Sequence, residues 1–187
     1  MQGRMIAIVG PSGVGKDTVM EALQAYRSDI SLVKRHITRP PDPIGEDHYA
    51  LSNEEFGQAL DQHKFVLAWT AHGLSYGIST EAIQKLNNGH DMLINLSRNV
   101  LEKADQVFDR LIVINLSASP EILLDRLEKR GREPAQDIKI RLQRSIVPFP
   151  KSLKIYEVSN DHHISETLSE IEKILFNESR SHERNFA

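Results

Sequence analysis

The chain has 187 residues, a length typical of one domain with a substantial core. Its 40% hydrophobic and 26% charged residues are typical of a globular protein, and a formal net charge of −3 argues against general affinity for nucleic acid or anionic membranes. The chain has no cysteine, which excludes disulfides, thiolate metal sites and a cysteine nucleophile. No signal peptide precedes the first predicted strand, and no apolar run approaches the roughly 20 residues of a membrane helix, so we expect a cytoplasmic protein.

The N-terminal segment combines a short strand, a glycine-rich turn and the start of a helix. The apolar run 5–9 predicts the strand, GPSGVGKDT follows, and a helix is predicted from Gly15 to about Tyr26. The turn matches the template G-x-x-x-x-G-K-[ST] except at the last position, which is Asp17. In such a loop the backbone N–H groups and the helix N-terminus bind phosphates, and the lysine reaches the terminal ones. The predicted nucleotide contacts are Gly10, Pro11, Ser12, Gly13, Val14, Gly15, Lys16, Asp17 and Thr18.

Strands and helices are then predicted to alternate along the chain. Ser52 and Glu55 form a capping box at the start of a helix, after a loop over residues 40–47. The predicted strands are 31–37, 65–71, 74–78, 92–96, 111–116 and 155–158. The later predicted helices are 80–88, 100–108, 119–130, 135–146 and 164–176. The polar tail 178–187 is expected to be disordered.

This alternation predicts an α/β fold, a parallel sheet with helices on both faces. In such sheets ligands bind outside the carboxyl ends of the strands. The segments expected along that rim are 10–18, 38–39, 95–98, Ser117 and 160–161. The sequence therefore predicts one active edge.

Arginines surround a predicted break in the chain at residues 131–134. They are Arg126, Arg130, Arg132, Arg141 and Arg144. They form either a solvated helix face or a mobile lid that clamps phosphates. The preference for arginine over lysine favours the lid, because the planar guanidinium matches phosphate oxygens better than an ammonium does. The histidines have no metal-ligand spacing, so a zinc site is not expected.

Five motifs together resemble the guanylate kinase family in order and spacing. They are GPSGVGK at 10–16, ITR at 37–39, AHGLSYGIS at 71–79, RLEKRGRE at 126–133 and SND at 159–161. The resemblance implies a P-loop NTPase fold and an ATP-dependent kinase in which Mg²⁺ bridges the β- and γ-phosphates. It also implies a core (1–37, 81–128 and 147–177), an acceptor-binding subdomain (about 38–80) and a lid (about 129–146).

The chain departs from the family pattern where the acceptor binds. Leu67 stands in place of the glutamate that accepts hydrogen bonds from guanine, and His48 in place of a tyrosine that touches the acceptor phosphate. The strand end that carries an aspartate in the family reads LINLS at 93–97, and residues 40–43 replace a second arginine expected after Arg39. Without acidic acceptors the guanine N–H groups would stay unpaired, so guanylate kinase activity itself is not expected.

The joint pattern GKD, RHITR, EDHYALS and WTAHGLSYG followed by NLSR resembles one branch of the family. That branch acts in phosphonate breakdown, transferring the γ-phosphoryl group of ATP to ribose 1,5-bisphosphate to give 5-phosphoribosyl 1-diphosphate (PRPP) and ADP. The implied partner is thus a small phosphorylated sugar, with no nucleic acid or membrane, and the sequence is compatible with a homodimer. Two alternatives are a nucleoside monophosphate kinase and a non-catalytic interaction module, but a module has no need of the intact loop.

The resemblance assigns roles to individual residues. Lys16, Arg130 and Arg141 are implied to act on the transferred phosphoryl group. Acceptor contacts are implied for Arg39, His48 and Tyr76. Asn160 matches a residue near the adenine of ATP.

Further roles follow from position. Asn95 and Arg98 lie on the predicted rim beside the acceptor, and Arg98 is a candidate for the acceptor's additional phosphate. The Mg²⁺ ligand at the loop is left open between Asp17, directly or through water, and Thr18.

Overall fold

A computed structural model describes residues 2–40, 47–130 and 147–184. Their strands are β1 (Met5–Val9), β2 (Ile30–Leu32), β3 (His36–Ile37), β4 (Tyr49–Ala50), β5 (Phe65–Ala71), β6 (Leu74–Ser79), β7 (Asp91–Asn95), β8 (Leu111–Ser117) and β9 (Ile155–Ser159). Their α-helices are α1 (Lys16–Tyr26), α2 (Asn53–Asp61), α3 (Glu81–Asn87), α4 (Leu101–Val107), α5 (Pro120–Arg130) and α6 (Ile164–Arg184), and a 3₁₀ turn, Arg98–Val100, precedes α4. The predicted loop 41–46 and helix 135–146 lie outside the described residues.

The central sheet is parallel and has the strand order β2-β7-β1-β8-β9. Every residue of β1 is buried, because α1 and α6 cover one face of the sheet while α3, α4 and the second sheet cover the other. This double coverage explains the almost continuous apolar sequences of β1 and β8. The predicted α/β fold, with a strand, loop and helix at the N-terminus, is confirmed.

A second sheet, β4-β3-β6-β5, spans His36–Ser79. The prediction of one strand over 31–37 is wrong, since β2 pairs with β7 of the central sheet whereas β3 pairs with β6 of the second. The change of sheet follows Val33, whose N–H still donates to Leu93 O at 2.8 Å, whereas Arg35 O accepts from Tyr49 N at 2.9 Å. Strand β4 was not predicted. The capping box of Ser52 and Glu55 is confirmed at the start of α2.

The predicted disorder of the tail is wrong over residues 178–184, because α6 continues to Arg184. Two buried residues of α6, Ile171 and Leu175, anchor it on the central sheet. The next turn is held by polar contacts: Glu178 accepts hydrogen bonds from Tyr156 and Lys154, and Ser179 Oγ accepts from Arg4 at 2.8 Å. These partners are remote in sequence, so the polar composition of the tail did not reveal them.

Within residues 2–40, 47–130 and 147–184, no helix combines the length and apolar character needed to cross a membrane. The division into core, acceptor-binding subdomain and lid stays a prediction.

Arg4 and Asp91 form an ion pair that ties the N-terminus to β7 and α6. Arg4 Nε donates to Asp91 Oδ2 at 2.9 Å, and Arg4 Nη1 donates to Leu175 O at 2.7 Å. The two side chains are 9% and 13% exposed. Removing one charge therefore leaves the other charge buried, with little water to solvate it. We expect Asp91→Ala to lower the free energy of unfolding by about 3–5 kcal/mol.

Urea unfolding followed by circular dichroism measures this change. The matched control is Asp105→Ala, at an exposed position of α4, which should alter stability by no more than about 0.5 kcal/mol. Equal stabilities of the two variants would show that the Arg4–Asp91 pair does not hold α6.

Candidate active site

The loop between β1 and α1 curls around the side chain of Lys16. Lys16 Nζ donates to Gly10 O at 2.9 Å and to Pro11 O at 3.0 Å. The curl needs glycine at both ends: Gly10 has φ +148° and Gly15 has φ +92°, and a Cβ on Gly10 would lie 2.5 Å from Leu116 O. Helix α1 begins at the lysine, so its N-terminal N–H groups and the ammonium lie together, an arrangement suited to phosphate.

Asn160, which follows the edge strand β9, fastens this loop to that edge of the central sheet. Its side chain is buried and donates from Nδ2 to Val14 O at 2.7 Å. Thr167 Oγ1 lies 2.9 Å from Asn160 Oδ1 and orients the amide. Arg126 of α5 bridges the same two residues, donating to Val14 O at 3.1 Å and to Asn160 O at 2.8 Å. Asn160 thus contacts the loop backbone; its predicted proximity to adenine stays a prediction.

Asp17, the unusual residue of the loop, faces the end of β7. Asn95 Nδ2 donates to Asp17 Oδ1 at 3.2 Å, whereas Thr18 is exposed. A carboxylate and a carboxamide beside a phosphate-binding loop are oxygen donors of the kind that Mg²⁺ accepts, with phosphates and water completing its shell. In the part of the chain that the structure describes, no three His, Cys, Asp or Glu side chains are grouped to hold a metal ion.

Arg98 joins a polar network at the carboxyl end of the sheet. Its Nη2 donates to Asn115 Oδ1 at 3.1 Å, and Asn115 Nδ2 donates to Glu157 Oε2 at 2.6 Å. The guanidinium carbon lies 4.3 Å from the ring centroid of Phe149. Burial lowers the pKa of Arg98, and the nearby Glu157 carboxylate opposes that shift. The sequence reasoning missed Asn115 and Glu157, although an asparagine in the apolar run LIVINL was an available signal.

The predicted acceptor contacts fall in two places. His48 Nε2 lies 3.2 Å from Arg39 O, so these two residues are together. Arg39 Nε is buried and has no hydrogen-bond partner among the described residues. Tyr76 is 9% exposed and stacks on Trp69 with a centroid separation of 5.2 Å, while the Arg35 guanidinium covers its ring at 5.0 Å. The Tyr76 ring therefore packs in the second sheet.

The predicted lid cannot be placed from the described residues. Arg130 ends α5, and its side chain lies outside the described part, as do Arg132, Arg141 and Arg144. Arg126 is the member of this arginine group that the structure places, and it binds the phosphate-binding loop. The sequence placed Arg126 in the arginine group but did not predict its contact with the loop. That contact depends on Asn160, which is remote in sequence.

A parallel sheet, a glycine-rich loop around a lysine and a second sheet beside the carboxyl edge define the P-loop kinase fold. The structure is similar to "Crystal structure of guanylate kinase from Anaplasma phagocytophilum", with a TM-score of 0.64 at 17% identity, covering 95% of this chain and 86% of that one. A sequence model described as "Guanylate kinase" matches residues 2–178. The chain belongs to the guanylate kinase family.

Two curated relatives share about two fifths of their residues with this chain. "Ribose 1,5-bisphosphate phosphokinase PhnN" of Ruegeria sp. (strain TM1040) is 42% identical over 176 residues, covering 93% of this chain and 92% of that protein. The protein of the same name from Agrobacterium fabrum (strain C58 / ATCC 33970) is 40% identical over 174 residues, covering 91% and 95%. The resemblance drawn from the sequence motifs is thereby confirmed.

Proposed function

We propose that this protein transfers the γ-phosphoryl group of ATP to ribose 1,5-bisphosphate, forming PRPP and ADP. The observation that carries the proposal is the 42% identity, over 93% of the chain, to a protein named ribose 1,5-bisphosphate phosphokinase. The intact loop around Lys16 supports a catalytic role rather than that of an interaction module. We propose a cytoplasmic location, which suits an enzyme that uses ATP. Assembly into a homodimer stays a prediction.

The reaction joins an oxygen of the acceptor's 1-phosphate to the γ-phosphorus of ATP and breaks the bond from that phosphorus to the β,γ-bridging oxygen. The attacking phosphate oxygen is already anionic near neutral pH, so the step needs no general base. Lys16 and the loop N–H groups hold the ATP phosphates and balance the charge that develops on the leaving ADP. Arg130 and Arg141 are proposed to neutralise the moving phosphoryl group from the lid.

Asp17 and Asn95 are the residues that would hold a Mg²⁺ ion beside the loop. The fit rests on the carboxylate of Asp17, next to Lys16 in the chain, and on the amide of Asn95, whose Nδ2 donates to Asp17 Oδ1 at 3.2 Å. Carboxylate and amide oxygens are ligands that Mg²⁺ accepts. Thr18, an exposed residue next to Asp17, stays the alternative ligand. The ion supplies positive charge to the phosphate oxygens when bound.

Arg39, His48 and Tyr76 are proposed to bind the acceptor, and Arg98 to bind its second phosphate. Arg39 Nε is buried and has no hydrogen-bond partner among residues 2–40, 47–130 and 147–184. This supports a role in anion binding, since a buried donor is costly to leave unpaired. Leu67 is 4% exposed and offers no hydrogen-bond acceptor to a guanine. This feature argues against a guanylate-type kinase.

A panel of acceptors tests the proposal. Purified protein with ATP and Mg²⁺ is assayed for ADP release with ribose 1,5-bisphosphate, GMP or AMP as acceptor. We expect kcat/KM for ribose 1,5-bisphosphate to exceed the values for both nucleotides by about 10³-fold or more, because a site lacking the right polar partners rejects a base strongly. Faster turnover of GMP or AMP would favour a nucleoside monophosphate kinase, and absence of ATP binding by calorimetry would favour an interaction module.

A further inference from the structure

Three polar side chains from three segments meet at the carboxyl edge of the central sheet. Asn115 is 5% exposed in β8, between Ile114 and Leu116, both fully buried. It links Glu157 of β9, at 2.6 Å, to Arg98 beyond β7, at 3.1 Å. A buried amide in an apolar strand contributes little to stability compared with an aliphatic residue that packs there. Its presence therefore calls for a role other than folding.

The network faces the proposed acceptor. In the parallel ladder Asn115 is paired with Val9, the last residue before the phosphate-binding loop, and with Glu157. Side chains two residues apart on a strand share a face, so Asn115 lies on the same face as Val113. Val9 and Val113 belong to the core cluster that also contains Ile37 and Tyr76 of the second sheet. The network thus lies next to the ATP loop, on the side that carries the predicted acceptor residues.

Arg98 is held in one orientation by this network. Phe149 packs against its guanidinium and Asn115 accepts from Nη2, the one side-chain hydrogen bond that Arg98 makes to the described residues. A guanidinium has five N–H donors in a rigid planar fork that matches phosphate oxygens. The contact with Asn115 leaves donors for a bidentate anion contact.

We infer that Asn115 and Glu157 are positioning residues that orient Arg98 toward the second phosphate of the acceptor, and so give the enzyme its preference for a bisphosphorylated sugar. Glu157 orders the amide: by accepting from Nδ2 it turns Oδ1 of Asn115 toward Arg98. The inference rests on the proposed function, because it assumes a sugar acceptor with two phosphates.

Two acceptors that differ only in the second phosphate test this inference. Ribose 1,5-bisphosphate and ribose 1-phosphate are assayed with the wild type and with Arg98→Ala, Asn115→Leu, Glu157→Leu and Glu157→Gln. For the bisphosphate we expect Arg98→Ala and Asn115→Leu to raise the acceptor KM by about 10- to 100-fold, the range expected for a lost charge-assisted hydrogen bond. Glu157→Leu should act in the same direction, and Glu157→Gln should be milder because its amide oxygen still accepts from Asn115.

Three readouts separate orientation of Arg98 from a structural role. The KM for ribose 1-phosphate and the affinity for ATP should stay near wild type in every variant. Asn115→Leu should melt at the wild-type temperature or higher, since it removes a buried polar group from an apolar strand. The double variant with Arg98→Ala and Asn115→Leu should be no worse than Arg98→Ala alone, because both changes remove the same contact.

Equal changes in KM for the two acceptors would overturn the inference. It would also be overturned if the KM increase in the double variant equals the product of the two single increases. Wild-type turnover of ribose 1,5-bisphosphate with unchanged KM values in the variants would overturn it while leaving the proposed function in place. Failure of the wild type to use ribose 1,5-bisphosphate would overturn the proposed function and this inference together.

Discussion

Lys16→Ala is expected to lower kcat/KM for phosphoryl transfer by about 10³-fold or more, the range reported for loss of one charged group that stabilises a transition state. Lys16 Nζ lies within the curl of the loop, 2.9 Å from Gly10 O and 3.0 Å from Pro11 O. Lys16 is the one lysine in the loop over residues 10–18. Steady-state kinetics at saturating Mg²⁺ measures the effect.

The matched control for this prediction is Lys103→Ala, at an exposed position on α4. It changes the net charge equally and should keep wild-type kinetics. Both variants should unfold cooperatively at temperatures near that of the wild type. A Lys16→Ala enzyme that loses less than about tenfold would contradict the assignment of this loop to the transferred phosphates.

Substitutions at positions 17 and 95, alone and together, are expected to change the affinity for Mg²⁺. In many P-loop enzymes the loop supplies a hydroxyl and a neighbouring strand supplies a carboxylate to Mg²⁺. Here the loop carries a carboxylate, Asp17, and the strand carries an amide, Asn95, which donates to it; we propose that these two side chains bind Mg²⁺. Asp17→Ser leaves no carboxylate, while Asn95→Asp places two carboxylates together beside the phosphates. We expect each single variant to lose about 100-fold in kcat/KM.

The double variant Asp17→Ser with Asn95→Asp restores one hydroxyl and one carboxylate. We expect it to recover at least about tenfold over the weaker single variant, because the two sites are in contact and their effects should not add. Titration of Mg²⁺ against the ATP complex by calorimetry gives a readout independent of turnover, and its affinities should follow the same order. If the loss in kcat/KM of the double variant equals the product of the two single losses, the two residues do not share one metal ion.

Local features of the fold were predictable from the sequence because neighbouring residues determine them. The loop from Gly10 to Lys16 and the capping box of Ser52 and Glu55 are set by residues within one short segment. The apolar run of β8 indicated a strand buried on both faces. Alternation of such elements was enough to predict the parallel sheet.

Features that depend on remote partners were not predictable in the same way. Residues 31–37 have an unbroken strand pattern, yet Leu32 pairs with the central sheet and Ile37 with the second sheet. The end of α6 looks disordered from its composition, but Arg4 and Tyr156 supply its contacts. In each case the deciding partner is far away in sequence.

The candidate site also combines residues that were predictable from local sequence with residues that depend on remote partners. The loop residues around Lys16 and the rim position of Arg98 were identified from motifs and strand ends. The partners that orient them, Asn115 for Arg98 and Arg126 for the loop, required the packed structure. The residues proposed to contact phosphate were therefore recognisable from the sequence, whereas the side chains that position them were not.

The proposed reaction is tested most directly by phosphorus NMR of the protein with ATP, Mg²⁺ and ribose 1,5-bisphosphate. We predict that the 1-phosphate signal is replaced by the two coupled signals of a diphosphate, while the 5-phosphate remains and ADP appears in equal amount. An unchanged acceptor spectrum, with ATP either intact or hydrolysed to ADP and inorganic phosphate, would contradict the assignment of this chain as a ribose 1,5-bisphosphate kinase.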